Sequence, residues 1–321
     1  MDFKLIVTFG PAIRDRDRLR EIDGLGKCIY RLNGAHVPPK QVAAEAAFIR
    51  GVLPGAEIML DLPGNKVRIK HLSEPLPLTR GQTFSIRSEQ FNYPDFYEHV
   101  KPGDIALTHD SEYAMEVKAI EGQTIVFESR FDGILLPNKG VHVQGANRSL
   151  PFLFPLDHEL ISAGVEASVE LLSLSFVRTA DDIREVKSLL ADHGGSPNLV
   201  SKIETAQALE NLGDIFFEVD TVNVDRGDLS ADVGILRLPM IQERVVDAAK
   251  RAEKKVFLAT QFLKNMEERP VPLIAEVVDL YKTIKTGVDG IQLSEETSVG
   301  KYPVECVQLV FQMFRESFSS A

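Results

Sequence analysis

A strand-then-helix rhythm, repeated eight times, most restricts the folds open to this chain. Short β-rich apolar runs occur at Leu5–Gly10 (LIVTFG), Cys28–Asn33 (CIYRLN), Glu57–Leu62 (EIMLDL) and Leu172–Val177 (LSLSFV). Four more lie at Asn198–Ile203 (NLVSKI), Thr221–Arg226 (TVNVDR), Val256–Thr260 (VFLAT) and Gly290–Ser294 (GIQLS). Segments with apolar spacing of three and four follow most of them, such as Ala180–Ala191 and Pro239–Ala252. This alternation predicts an α/β fold whose parallel strands close into a (β/α)8 TIM barrel rather than an open doubly wound sheet. One connection breaks the rhythm. Roughly 100 residues separate the third and fourth runs, far more than one crossover needs. Residues 70–140 hold turn-punctuated pieces such as QTFSIRSE, DIALTHD and QTIVFESR without a convincing helix. The expectation is a small β-barrel lid inserted after strand 3 over 70–140, with the barrel built from 1–69 and 141–321. Removing the insert leaves about 250 residues, the usual size of such a barrel.

Composition then narrows the class. Hydrophobic residues at 44% and charged residues at 26% exclude a disordered chain. The formal charge of −11, from 36 Lys+Arg against 47 Asp+Glu, argues against a nucleic-acid partner, which needs a basic face. Any anion site must instead be a local cluster of cations, or a metal, in a repelling field. No run approaches the roughly 18 apolar residues of a membrane span, so no membrane partner is expected. Met1-Asp2-Phe3-Lys4 leads into no signal-type segment. Cys28 and Cys306 sit in apolar surroundings and read as core residues. A reduced, cytoplasmic protein is expected.

In such barrels the chemistry comes from the C-terminal ends of the strands. Those ends carry Thr8, Arg31, Asn33, Asp61, Ser175-Phe176-Val177-Arg178, Lys202-Ile203-Glu204, Arg226-Gly227-Asp228, Thr260-Gln261 and Ser294-Glu295-Glu296. Cations (Arg31, Arg178, Lys202) and carboxylates (Asp61, Glu204, Asp228) therefore converge on one rim. Each could be a structural ion pair; together they read as a site for a metal and an anion. Glu204 and Asp228 are hard oxygen donors suited to Mg²⁺ or Mn²⁺. Lys202 and Glu204, two apart on a strand, point the same way, which sets an ammonium beside the metal. Gly227 lets a carboxylate approach backbone N–H groups. His36 is open between a loop polar residue and a phosphate contact.

The segments VTFGPA (Val7–Ala12), RLNGAH (Arg31–His36), DLPGNKVR (Asp61–Arg68), LSFVRTADDIREV (Leu174–Val186), SKIET (Ser201–Thr205), RGDLS (Arg226–Ser230), ATQFLKNM (Ala259–Met266), RPVPLIAEV (Arg269–Val277) and LSEETSVGKYPVE (Leu293–Glu305) together resemble the pyruvate kinase family, in order and spacing, over essentially the whole chain. The resemblance implies a Mg²⁺- or Mn²⁺-dependent phosphoryl transfer between phosphoenolpyruvate and ADP through a metal-bound pyruvate enolate. It implies Glu204 and Asp228 as metal ligands and Lys202 as stabiliser of the transferring phosphoryl group and the enolate. Thr260, with the Gly227–Asp228 backbone, would take the substrate carboxylate and relay a proton at C3, and Arg31 would bind the phosphoryl group. Ser175, Phe176 and Arg178 would line the substrate pocket. Thr8, Pro11, His36 and Lys139 stand where the family contacts nucleotide, ADP or ATP.

Departures from the family pattern are informative. Of its potassium ligands, Asn33 and Asp61 remain, but Ala35 and Leu62 replace the Ser and Thr. Lys66 replaces a Glu, and Ile69 fits the same branch. This resembles potassium-independent members in which the lysine supplies the charge, so no potassium requirement is expected. Asp225 stands where the family has a small alanine, and could act as a base or bind a polar second substrate. Val299 replaces a lysine near the nucleotide phosphates, with Lys301 two residues on. The sequence ends at Ala321, so the family's C-terminal regulatory domain is expected to be missing; an exposed barrel bottom would favour a homodimer. Beside the kinase reading stand a divergent enzyme using the same enolate for aldolase, lyase or decarboxylase chemistry or for another phosphoryl acceptor, and a non-catalytic phosphoenolpyruvate sensor.

Overall fold

A computed structural model of the chain describes residues 3–108 and 113–319. The last two residues of DIALTHD, Met1-Asp2 and Ala321 lie outside the described residues. Eight parallel strands form one closed barrel: β1 (Lys4–Thr8), β2 (Cys28–Asn33), β3 (Glu57–Leu62), β4 (Leu171–Leu174), β5 (Asn198–Ile203), β6 (Thr221–Asp225), β7 (Lys255–Ala259) and β8 (Gly290–Leu293). Each pairs with its sequence neighbours and β8 pairs with β1, as in Val7 opposite Leu293. The helices Ala180–Asp192 and Leu238–Arg251 fall where apolar spacing places them. No helix among the described residues is long and apolar enough to cross a membrane.

Strand alternation explains where the barrel is apolar and where it is not. Outward-facing residues such as Leu5, Val7, Leu32, Leu60, Leu172 and Val224 join a core shared with the helices. The opposite faces point inward and form a separate, small apolar plug of Ile6, Ile29, Met59, Val200 and Phe257. Two residues further along the same inward faces come Thr8, Arg31, Asp61 and Lys202, all buried. The barrel interior therefore changes from apolar to polar toward the C-terminal strand ends. A cavity of about 700 Å³ opens at the other end, but its charged rim is already paired, Lys4 with Glu57 at 2.5 Å and Lys187 with Glu218 at 2.7 Å.

The inserted β unit is a six-stranded antiparallel sheet in the order Arg68–Ile69, Lys139–Val143, Ile105–Thr108, Tyr113–Glu121, Thr124–Ser129, Thr83–Arg87. A two-stranded sheet, Leu76–Leu78 with Gly133–Leu135, accompanies it. The unit has its own core around Phe96, Met115, Ile125, Phe127 and Val141. It contains 3₁₀ turns and no α-helix among the described residues. Gln144 Nε2 donates to Asp232 O at 2.8 Å, and His142 Nε2 lies 3.3 Å from Asp232 Oδ1. Both contacts fasten the insert to helix Arg226–Val233.

Gly290 opens β8 against Phe257 of the plug. A Cβ there would lie 1.9 Å from Lys4 O and 2.4 Å from Phe257 Cε1. Gly290→Ala should therefore lower stability by about 1–3 kcal/mol or more, because backbone and a packed ring must both move. Urea unfolding checks this; an unchanged midpoint contradicts the packing described.

Candidate active site

Lys202, near the end of β5, sits at the centre of the polar interior. Its ammonium lies 2.6 Å from Glu204 Oε1, 3.3 Å from Asp225 Oδ2 and 3.8 Å from Asp61 Oδ2, and donates to Ser175 Oγ at 3.2 Å. Burial opposes the charged lysine, but Asp61, Glu204 and Asp225 outweigh it and hold its pKa well above the ordinary value. Asp61 is shared. It also accepts from Arg31 Nε at 2.8 Å and Nη2 at 2.5 Å, while Arg31 Nη1 donates to Thr8 Oγ1 at 2.9 Å. Burial raises the Asp61 pKa, yet Lys202 and Arg31 bring it below the usual carboxylate range.

Three strand ends turn sharply to deliver the remaining groups. The fourth apolar run reads on to Val177, but β4 stops at Leu174 because the chain turns through Phe176 in the left-handed region (φ 57°). That turn gives the Phe176 N–H to Glu204 Oε2 at 2.8 Å instead of to a neighbouring strand. After β7, Thr260 (φ 82°) and Gln261 (φ 56°) are left-handed too, unfavourable for a β-branched threonine. Arg226 holds this conformation. Its Nε and Nη2 donate to Thr260 O at 3.0 and 2.5 Å, its Nη1 pairs with Asp279 at 2.6 Å, and its guanidinium carbon lies 3.9 Å from the centroid of Phe262. The Thr260 hydroxyl then donates to Asp225 Oδ1 at 2.5 Å, which also accepts from Gly227 N at 3.2 Å as the N-cap of helix Arg226–Val233.

Lys66 reaches the same cluster from the DLPGN turn, and its ammonium donates to Asp228 Oδ1 at 2.5 Å. Gly140 of the insert makes room for its stem, since a Cβ there would lie 2.8 Å from Lys66 Cε. Burial disfavours the Lys66 charge, but Asp228 outweighs it and the pKa is raised. The turn itself is held by Gly64 N donating to Asp157 Oδ1 at 3.0 Å.

Glu204, Asp225 and Asp228 each offer a carboxylate oxygen, and the three atoms lie within 4.8 Å of one another. Glu204 Oε1 is buried, and its contact is the 2.6 Å ion pair with Lys202 Nζ. Three hard oxygen donors on one centre fit a divalent cation such as Mg²⁺ or Mn²⁺. With every group ionised, Arg31, Lys66 and Lys202 face Asp61, Glu204, Asp225 and Asp228, leaving one negative charge in excess. Glu204 carries that imbalance. Burial, partly offset by Lys202 and reinforced by Asp225 and Asp228, pushes its carboxyl up to about 8. Asp225 goes the other way; burial raises it, but Lys202 and the Thr260 hydrogen bond hold it low.

Other residues expected at the site are placed less centrally. Arg178 is tied to Asp182 Oδ1 at 2.8 Å and to Leu150 O at 2.7 Å, and joins the end of β4 to the segment before helix Pro155–Glu166. His36 is exposed near Arg68 and Arg31; partial desolvation, then these two cations, lower its pKa. Lys139 begins an insert strand opposite Ile69, and Pro11 is exposed. Val299 is exposed, and Lys301 pairs with Glu268 on the surface. Cys28 and Cys306 are free thiols, and burial pushes Cys28 up to about 12. Sequence reasoning missed the roles of Arg226 and Asp157. Asp157 had a signal, the N3 position after the helix-opening Pro155.

Comparison with known proteins agrees with this architecture. A family model for the pyruvate kinase barrel domain matches residues 2–307. The pyruvate kinase of Thermotoga maritima is 30% identical over an alignment covering 98% of this chain and 70% of that one. That of Aeropyrum pernix is 32% identical, with 95% and 68% covered. Plastidial pyruvate kinase 2 of Arabidopsis thaliana is 31% identical, with 94% and 55% covered.

The raised Glu204 pKa sets a pH dependence. Burial makes the carboxyl keep a proton to higher pH than an ordinary glutamate, and a divalent cation must displace that proton. Mn²⁺ affinity should therefore rise by about tenfold per pH unit between roughly pH 6 and 8, then level off. Calorimetric titration across this range checks it; a flat profile contradicts the assignment.

Proposed function

The chain belongs to the pyruvate kinase family, and on that premise we propose that it transfers a phosphoryl group between phosphoenolpyruvate and ADP, with Glu204 and Asp228 holding Mg²⁺ or Mn²⁺ and Asp225 within reach of the same ion. One observation carries the reading: a buried ammonium, Lys202, lies 2.6 Å from Glu204 beside three clustered carboxylates. When bound, the cation supplies Lewis-acid stabilisation of developing oxygen charge.

The chain's own residues account for the rest. Transfer breaks the bond between phosphorus and the enol oxygen and forms one to a β-phosphate oxygen of ADP. The enolate left behind takes a proton at C3 to give pyruvate. Phosphoryl transfer asks the protein mainly for positioning and charge stabilisation. Lys202, itself buried, provides a fixed positive charge where the oxygen charge develops. Arg31, anchored by Asp61 and Thr8, presents a second cation to the phosphoryl group. Thr260 offers a hydroxyl beside the substrate's carbon end and is the proton relay. The nucleotide approaches from the mouth, past Thr8, Pro11, His36 and Lys139. Lys66, already bonded to Asp228, supplies the charge that a potassium ion provides elsewhere.

Lactate-dehydrogenase-coupled turnover with phosphoenolpyruvate, ADP and Mg²⁺ tests the reading. Lys202→Met should cost about 10²- to 10³-fold in rate while Mn²⁺ binding survives, because the residue acts on developing charge rather than on the ion. Equal loss of both contradicts the role. Potassium chloride should leave the rate within about twofold of a tetramethylammonium control; roughly tenfold stimulation overturns potassium independence.

A further inference from the structure

We infer that Asp225 is a specificity-determining residue whose own carboxylate occupies the cradle meant for a substrate carboxylate, so that a ligand carboxylate enters by displacing it. This rests on the carboxylate-binding role of Thr260 and Gly227 in the proposed function. The cradle is a hydroxyl, a helix-N-terminal amide and an ammonium aimed at one point. Asp225 uses all three: Thr260 Oγ1 at 2.5 Å, Gly227 N at 3.2 Å and Lys202 Nζ at 3.3 Å. These are the donors that would recognise an incoming carboxylate beside the metal ligands.

Two carboxylates cannot share them. Like charges about 3 Å apart are not both tolerated in a buried site, and each donor hydrogen here is already committed. Asp225 is 9% exposed, so it cannot reach solvent as an alternative partner without moving. It does have somewhere to go. Its oxygen already lies within 4.8 Å of those of Glu204 and Asp228, so the carboxylate that leaves the cradle can turn toward the cation-binding cluster. The residue therefore has two uses, internal plug and additional ligand, and the substrate chooses between them. Gly227 is part of the device: a Cβ there would lie 3.0 Å from Thr260 Cγ2 and 3.4 Å from Asp225 Oδ1, crowding the cradle. The ligands penalised are small metal-chelating carboxylates of the pyruvate and oxalate class.

Calorimetric titration of oxalate into Mn²⁺-saturated protein tests this in wild type, Asp225→Ala and Asp225→Asn. Emptying the cradle should tighten oxalate binding by roughly tenfold or more in the alanine variant, since two charge-assisted hydrogen bonds no longer have to be exchanged. Asp225→Asn keeps the size and the acceptor oxygen but loses the charge, so it should bind oxalate more tightly than wild type and less tightly than alanine. Equal or weaker binding in Asp225→Ala overturns the inference and leaves the carboxylate-binding role standing. No oxalate binding in any of the three proteins overturns both. If the alanine variant does not fold, the asparagine variant decides: no gain over wild type overturns the inference.

Discussion

The ammonium of Lys202 inside the barrel is the constraint to which the rest of the site answers. A lysine withdrawn from water keeps its charge only when anions surround it, and here three carboxylates on three different strands do so. Removing one partner of a buried pair costs about 3–5 kcal/mol, because a charge is left uncompensated. Asp61 must therefore stay ionised, and it does so with help from Arg31, which in turn is fixed by Thr8. Strand ends that touch only through neighbours become one electrostatic unit. The cost of burying charge in this unit is also what gives it a field strong enough to act on a reacting oxygen.

The insert and the turn leading into it reach this unit through three side chains, Lys66, His142 and Gln144. Lys66 leaves the turn that leads into the insert, passes Gly140 and ends on Asp228. His142 and Gln144 meet Asp232 one helical turn further along the same helix. Any movement of the insert is therefore felt by helix Arg226–Val233, which carries both a metal-ligand candidate and the cradle amide. Such coupling is how closure over a ligand can alter the geometry of the groups beneath it.

Much of this was legible in the chain. Short apolar runs mark the strands, and their ends put Lys202, Glu204 and Asp228 on one rim, with Lys202 and Glu204 facing the same way because they are two apart. What stayed hidden depends on long-range contacts. Arg226 reads as part of a tight turn; its work on the Thr260 carbonyl follows only when β6 and β7 lie side by side. Arg178 reads as a rim cation, but a carboxylate four residues on, Asp182, claims it locally. The end of β4 was misjudged by periodicity because a left-handed Phe176 leaves no trace in hydrophobic pattern. Asp225 was visible as an unusual carboxylate, but not as the N-cap that fills its own helix terminus.

The plug of Ile6, Ile29, Met59, Val200 and Phe257 has a consequence for traffic. It seals the barrel beneath Lys202 and makes the polar interior a blind-ended well. Among the described residues, the route to Lys202 along the barrel axis therefore lies on the side of the C-terminal strand ends.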